Sequence, residues 1–345
     1  MKRSRIVYFL FLFSGITALI YEVVWTRMLT LAFGHTVFSV SIVLASFMAG
    51  LGFGSYFSGH AINHIGGKKT QSDSSSLSKE FSEDLETSSL LLIYGWIEVA
   101  LFLLCLIVSL ILFKFSVIYS WFSFFVPESI VVQNIFKSFL AFILMFIPAS
   151  LMGATLPIIS QYYITDNIRL DARLGLLYGI NTFGAALGCL LTGFFLIANF
   201  GVLQTVLAAT VLNLFVGISA IRIYQESLES SKGLHFPRFT IPKISWEGDQ
   251  WLWIVVSFVC GFTALSYEVL WTRLLIFSTS STVYSFSMML GVFLIGISLG
   301  SFLVVAVFRS SLNLRTVLIL LQAGIGLYVI GSLYNMEQLL STPWN

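Results

Sequence analysis

The chain has 345 residues, of which 57% are hydrophobic and only 10% charged, with a formal net charge of +2 and a mean hydropathy of +0.93. A soluble domain of this length does not have that balance, and no basic stripe suited to nucleic acid interrupts it. The three cysteines, Cys105, Cys189 and Cys260, all lie inside apolar runs, which points neither to a disulfide framework nor to a metal site.

Runs of about 18 or more apolar residues predict membrane-crossing helices. Only helices or closed barrels satisfy the backbone in lipid, and these runs are too long for barrel strands. About nine spans are predicted, near 6–33, 36–59, 90–114, 136–163, 174–199, 202–223, 251–277, 282–307 and 314–335. The first follows MKRSR and continues to about Phe33, with no A-x-A-like site after a short apolar core. It reads as an uncleaved span rather than a signal peptide.

Two polar segments interrupt the apolar pattern. Thr70 to Ser89 is serine-rich and acidic, and predicts a mobile cytoplasmic loop. Residues 224–250, with Pro237 and Pro242, read as a cytoplasmic linker. With the N-terminus inside, cytoplasmic segments hold 14 of the 18 lysines and arginines. The opposite orientation inverts that bias, so the N-terminus is expected in the cytoplasm.

The first and seventh spans carry the same motif. Gly15 to Arg27 reads GITALIYEVVWTR and Gly261 to Arg273 reads GFTALSYEVLWTR, at a constant offset of 268 − 22 = 246. The match continues through Val37/Val283, Ser39/Ser285, Gly50/Gly296, Gly54/Gly300 and Ser55/Ser301. The repeat divides the chain into a first six-helix half (1–223), the linker (224–250) and a second half with three helices (251–345). Halves in parallel orientation are the arrangement of facilitator-type transporters. The expected fold is therefore an all-α polytopic membrane protein, a facilitator-like parallel repeat of helical bundles. Its second half is incomplete, which reads as a truncated or split half.

Each copy of the motif places a glutamate in a span, Glu22 and Glu268. A carboxylate at that depth costs roughly 2.5–3.5 kcal/mol. It must face the bundle interior, be neutral or find a partner. Two readings stand side by side: recognition of a cation or proton, and a polar network that holds helices together. Trp25 and Thr26 lie three and four residues on, near the same helix face. Trp25, like its mate Trp271, either stacks on an organic cation or anchors the helix at the interface. Arg27 is about 140° around the helix from Glu22. Arg27 and Arg273 therefore either snorkel or form a gate-like pair across the two halves.

The third span holds Glu98, whose aligned mate is Gln322, so this carboxyl group is not duplicated. It is a further candidate for substrate binding. The fourth span contains Pro148 and Pro157, each of which removes a helical hydrogen bond. The fifth has Gly175/Gly179 and Gly184/Gly188 at small-xxx-small spacing, a close-packing signal. Asn181 between them is placed either to bond across helices or to contact a substrate. After the second span, GSYFSGHAINHIGGKK loosely resembles the cytoplasmic loop signature of facilitators but lacks its acidic residue near Asn63.

The repeated A-L-x-Y-E-V-x-W-T-R, with LMGATLP at Leu151–Pro157 and GLLYGINTFGAALG at Gly175–Gly188, resembles the membrane region of bacterial fused facilitator/spermidine-synthase-like proteins. The resemblance implies a multi-pass protein of the bacterial inner membrane. It also implies an accompanying soluble aminopropyltransferase domain with a G-G-G-x-G loop, and that loop is absent from this sequence. No catalytic residue, cofactor or metal ligand carries over. The expected partners are the lipid bilayer, a polyamine or related organic cation, and a soluble aminopropyltransferase domain. The expected function is transport or channelling of that cation, the alternative a non-transporting anchor or scaffold for the synthase.

Overall fold

The computed structural model describes residues 2–34, 36–66, 76–122, 124, 127, 129–163, 170–228, 250–307 and 314–341. The described elements are helical throughout: α1 (Lys2–Phe33), α2 (Thr36–Gly66), α3 (Ser76–Phe113), α4 (Phe115–Phe122), α5 (Ile130–Tyr163), α6 (Leu170–Leu191), α7 (Ile197–Leu228), α8 (Gln250–Thr279), α9 (Thr282–Val307) and α10 (Leu314–Ser341). A π-helical turn, Thr192–Leu196, joins α6 to α7. Among the described residues, seven apolar helical runs are long enough to cross a membrane. The chain is a multi-pass membrane protein whose surface carries many exposed aromatic and aliphatic side chains, such as Phe57, Phe139, Phe258 and Leu303.

The spans read from the sequence map onto these runs with one merger. The expected fifth and sixth spans form a single 54-residue run, Arg173–Glu226. It breaks at Gly201, whose φ of 79° and ψ of 174° are open only to glycine. The expected ninth span falls in α10, where the apolar stretch Thr316–Ser332 is shorter. Residues 76–89, expected as part of a mobile loop, are helical and continue into α3. A helix already formed in the apolar span extends at little cost, because nucleation is its expensive step. For the same reason α2 runs on to Gly66 through most of the expected loop after the second span. Lys68 and Lys69 lie outside the described residues, as does the linker beyond Leu228 as far as 249. The short α4 is not legible in the spans. It rests on the bundle through Phe115, stacked on Phe33 at 6.0 Å, and through Tyr119, which lies 4.5 Å from the Lys137 ammonium.

The chain separates into two compact units, 1–302 and 303–345. In the first, α1 packs on α6, α2 on α5 and α3 on α7. Glycines set each contact. A Cβ at Gly15, Gly184 or Gly188 would overlap the backbone of Asn181, Leu12 or Ile16 across the α1–α6 seam. At Gly54 and Gly153 it would overlap Ser150 and Leu51 across the α2–α5 seam. Ser55 Oγ donates to the Gly153 carbonyl at 2.8 Å in that seam. Gly95 and Gly217 bring α3 and α7 together, with 2.9 Å from a Gly217 Cβ to the Gly95 carbonyl oxygen. Such backbone approaches hold helices together where lipid offers no hydrophobic drive.

The two motif-bearing helices share local geometry. Thr26 Oγ1 donates to the Glu22 carbonyl at 2.7 Å, and Thr272 Oγ1 to the Glu268 carbonyl at 2.8 Å. Gly34 closes α1 with φ of 70° and an N–H bond to Thr30. Ser280, at the same offset of 280 − 34 = 246, closes α8 with φ of 53° and an N–H bond to Ile276. These are left-handed helix ends with the terminal carbonyl satisfied. Serine is strained in that conformation where glycine is not.

The second unit, residues 303–345, contains the end of α9 and α10. Gln322, Leu320, Leu327 and Tyr328 of α10 are exposed.

Candidate functional site

Glu22 and Glu268 are both buried, at 2% and 3% exposure, although they lie 246 residues apart. They come together at the meeting of α1, α6, α8 and α9, close enough to act on each other electrostatically. Cys189 of α6 lies within the electrostatic reach of both carboxyl groups. Its thiol donates to the Ser287 carbonyl of α9 at 3.4 Å. Gly193, in the π turn, abuts the Ser287 hydroxyl so closely that a Cβ would overlap it. The π turn thus lies directly against α9. Around this group Val23, Val40, Leu44, Phe286, Met289 and Leu290 form an apolar shell, with Trp271 half-buried against it.

The polar inventory of the site is unbalanced. Oε1 of Glu22, Oε1 of Glu268 and the Ser287 hydroxyl are buried and make no hydrogen bond. Buried polar atoms normally find partners, and an unpaired buried carboxylate is costly. Two such carboxyl oxygens within electrostatic reach of each other form an acceptor-rich centre suited to a donor cation. The structural alternative, a closed polar network, would have to leave these three atoms out.

Other residues singled out in the sequence lie elsewhere. Trp25 is fully buried, but it points to α2 and α3: its Nε1–H donates to Ser109 at 2.8 Å, and its ring packs 5.6 Å from Phe47. Its ring is therefore enclosed in the bundle, with its N–H committed to Ser109. Arg27 is half-buried and Arg273 exposed. Among the described residues, neither arginine is found in an ion pair with either carboxyl group of the pair. Asn181 spans the α1–α6 seam, with Nδ2 donating to the Phe11 carbonyl at 3.0 Å. Of its two possible roles, the structure contains the cross-helix bond. Replacing Asn181 by alanine is expected to lower stability by about 0.6 kcal/mol, and at most about 1.7 kcal/mol, in an unfolding titration in mixed micelles. A change in ligand affinity at unchanged stability would contradict this packing role.

Glu98 forms a separate centre. It is fully enclosed, and Ser14 of α1 donates to its Oε1 at 2.5 Å. Tyr94 stands beside it on α3. Sequence reading missed Cys189, Ser287 and Ser14, whose only signal was that small polar residues in membrane helices face inward. Among the described residues no group of three or more histidines, cysteines or acidic residues is arranged to hold a metal ion.

Cys189 gives a direct probe of the pair. A small cationic methanethiosulfonate reagent applied to membranes is expected to label Cys189 faster than a neutral analogue of equal size, because two carboxyl groups face the thiol. Equal rates would show that the carboxyl groups do not attract cations. Mass spectrometry of the modified peptide separates Cys189 from Cys105, also buried, and from the half-buried Cys260. Compared with family models, curated proteins and solved structures, the chain matches none.

Proposed function

We propose that the chain is the membrane module of a spermidine-synthase-like fusion and that it transports or channels a polyamine or related organic cation. The carrying observation is the Glu22–Glu268 pair: two buried carboxyl groups, each with an oxygen that has no partner. An ammonium group offers three donors and a full charge. It can donate to both carboxylates, and charge-assisted bonds of this kind are the strong ones.

A facilitator-like architecture fits the helix pairing. Exchanging the first three spans with the next three turns the α1–α6 contact into the α5–α2 contact and returns the α3–α7 contact to itself. Nested three-plus-three repeats of that kind occur in facilitator halves. The matching ends at Gly34 and Ser280 support duplication of the halves. A location in the bacterial inner membrane, with the N-terminus in the cytoplasm, follows from the resemblance and from the lysine and arginine distribution.

The test is uptake of labelled spermidine into proteoliposomes containing the purified chain. Saturable uptake, competed by other polyamines but not by neutral analogues, is the expected result. Spermidine binding without uptake would instead favour the non-transporting anchor for an aminopropyltransferase domain. No binding at all would remove polyamine from the assignment.

A further inference from the structure

Glu98 is a buried carboxyl group that the recognition step does not use, and its surroundings differ from those of the pair. Its Oε1 accepts from Ser14 of α1 at 2.5 Å and the Tyr94 hydroxyl lies beside the carboxyl group, while Oε2 is buried without a well-formed hydrogen bond. The Tyr21 hydroxyl of α1 is likewise buried and unpartnered, within electrostatic reach of Glu98. From α7, Asn213 is fully enclosed with both amide atoms unpartnered. One turn further on, Gly217 rests on the backbone of Gly95 and Val99, so this part of α7 faces the Glu98 region of α3. The titratable groups that act with Glu98 are Tyr94 and Cys105 on α3 and Tyr21 on α1. Among the described residues, no lysine, arginine or histidine contributes to its setting.

An organic cation has no duplicated cradle here: the aligned mate of Glu98 is Gln322, an amide that cannot titrate. The site is enclosed, single and half-satisfied, which suits a proton better than a bulky ligand. Ser14 holds Oε1 in either protonation state. The free Oε2 can then carry a proton and offer it to a neighbouring hydroxyl or amide oxygen. We propose that Glu98 is a protonation site separate from the Glu22–Glu268 pair, taking up and releasing one proton during the transport cycle. One O–H bond forms at Oε2 on uptake and breaks on release; the proton comes from water and returns to it. Helix α1 links the centres, since Ser14 and Tyr21 face Glu98 while Glu22 faces Glu268. A movement of α1 that changes one centre therefore changes the other. This inference rests on the transport reading, but its primary test does not.

The experiment is infrared difference spectroscopy of the purified full chain in lipid, titrated from mildly acidic to mildly alkaline pH. The expected result is a protonated-carboxyl C=O band that disappears as pH rises. It is lost in Glu98→Gln and retained in the Glu22→Gln/Glu268→Gln double variant. In Ser14→Ala the band shifts in frequency, because Ser14 acts as a positioning residue whose hydrogen bond to the carboxyl is removed; this variant also serves if Glu98→Gln fails to fold. A band that does not vary with pH, or one that survives Glu98→Gln unchanged, overturns the proposal. Absence of spermidine uptake by the wild type would overturn the transport reading while leaving the band's assignment to Glu98 standing. In proteoliposomes Glu98→Gln is expected to bind spermidine as the wild type does, yet to lose any stimulation of uptake by an imposed pH gradient.

Discussion

Replacing Glu22 and Glu268 together by glutamine is expected to abolish saturable spermidine uptake while leaving the protein as stable as before or more so. The two outcomes come from the same atoms. Each carboxyl group is buried, and each has an Oε1 without a partner. In the folded protein these groups therefore contribute desolvation cost and mutual repulsion, with no compensating bond. Glutamine keeps the length of the side chain and removes the charge, so the fold is relieved of that cost. A bound ammonium loses a charge-assisted contact at each position, worth about 1.5–3 kcal/mol, or roughly tenfold to 150-fold in affinity per site. Single variants should show that partial loss and the double variant the full one. Groups that are retained at a cost to stability for the sake of function show this opposition. Uptake unchanged in the double variant would remove the carboxyl groups from the mechanism. Lost uptake accompanied by a clear fall in stability would assign them to helix packing instead.

The second large effect concerns the seams. Gly54→Leu or Gly188→Leu is expected to prevent formation of the native bundle, and even alanine at either position should cost about 1–3 kcal/mol. A Cβ at Gly54 would overlap the Ser150 carbonyl, and one at Gly188 the Ile16 carbonyl. A backbone carbonyl in a packed helix cannot turn aside as a flexible side chain can, so the two helices would have to separate. Gly52 and Gly59 lie on the same helix as Gly54, and a methyl group added at either would meet nothing within 4 Å. Alanine there should be neutral, or stabilising through helix propensity by about 0.5–1 kcal/mol. Gly296 and Gly300 match Gly50 and Gly54 in sequence but also have nothing within 4 Å, so alanine there should be tolerated too. Unfolding by added SDS in mixed micelles reads all of these. Equal losses at Gly54 and Gly52 would show that the effect is not steric.

The spans are legible because the membrane imposes a local rule. Each backbone segment must satisfy its own hydrogen bonds, so an apolar run of sufficient length declares a helix without reference to the rest of the chain. The repeated motif is equally legible, since Tyr21-Glu22 and Tyr267-Glu268 recur in the letters themselves. The break at Gly201 shows in the sequence only as a boundary between spans. That the turn needs a backbone open only to glycine is visible in its φ and ψ. The helical stretch at 76–89 is hidden because composition reports solubility better than it reports propagation from an adjoining helix.

What the sequence determined by itself was therefore the class of the chain, the positions of its apolar helices and the identity of its costly carboxyl groups. The tertiary structure alone decided how those groups are grouped. Glu22 turns toward Glu268, whereas Glu98 turns toward Ser14, 84 residues away. Trp25, three residues from Glu22, turns instead to Ser109. Helical periodicity fixes which residues share a face, but not which helix that face meets. That choice lies in backbone approaches such as Gly188 on Ile16 and Gly54 on Ser150, between helices that are distant in the chain and whose fit no local pattern encodes.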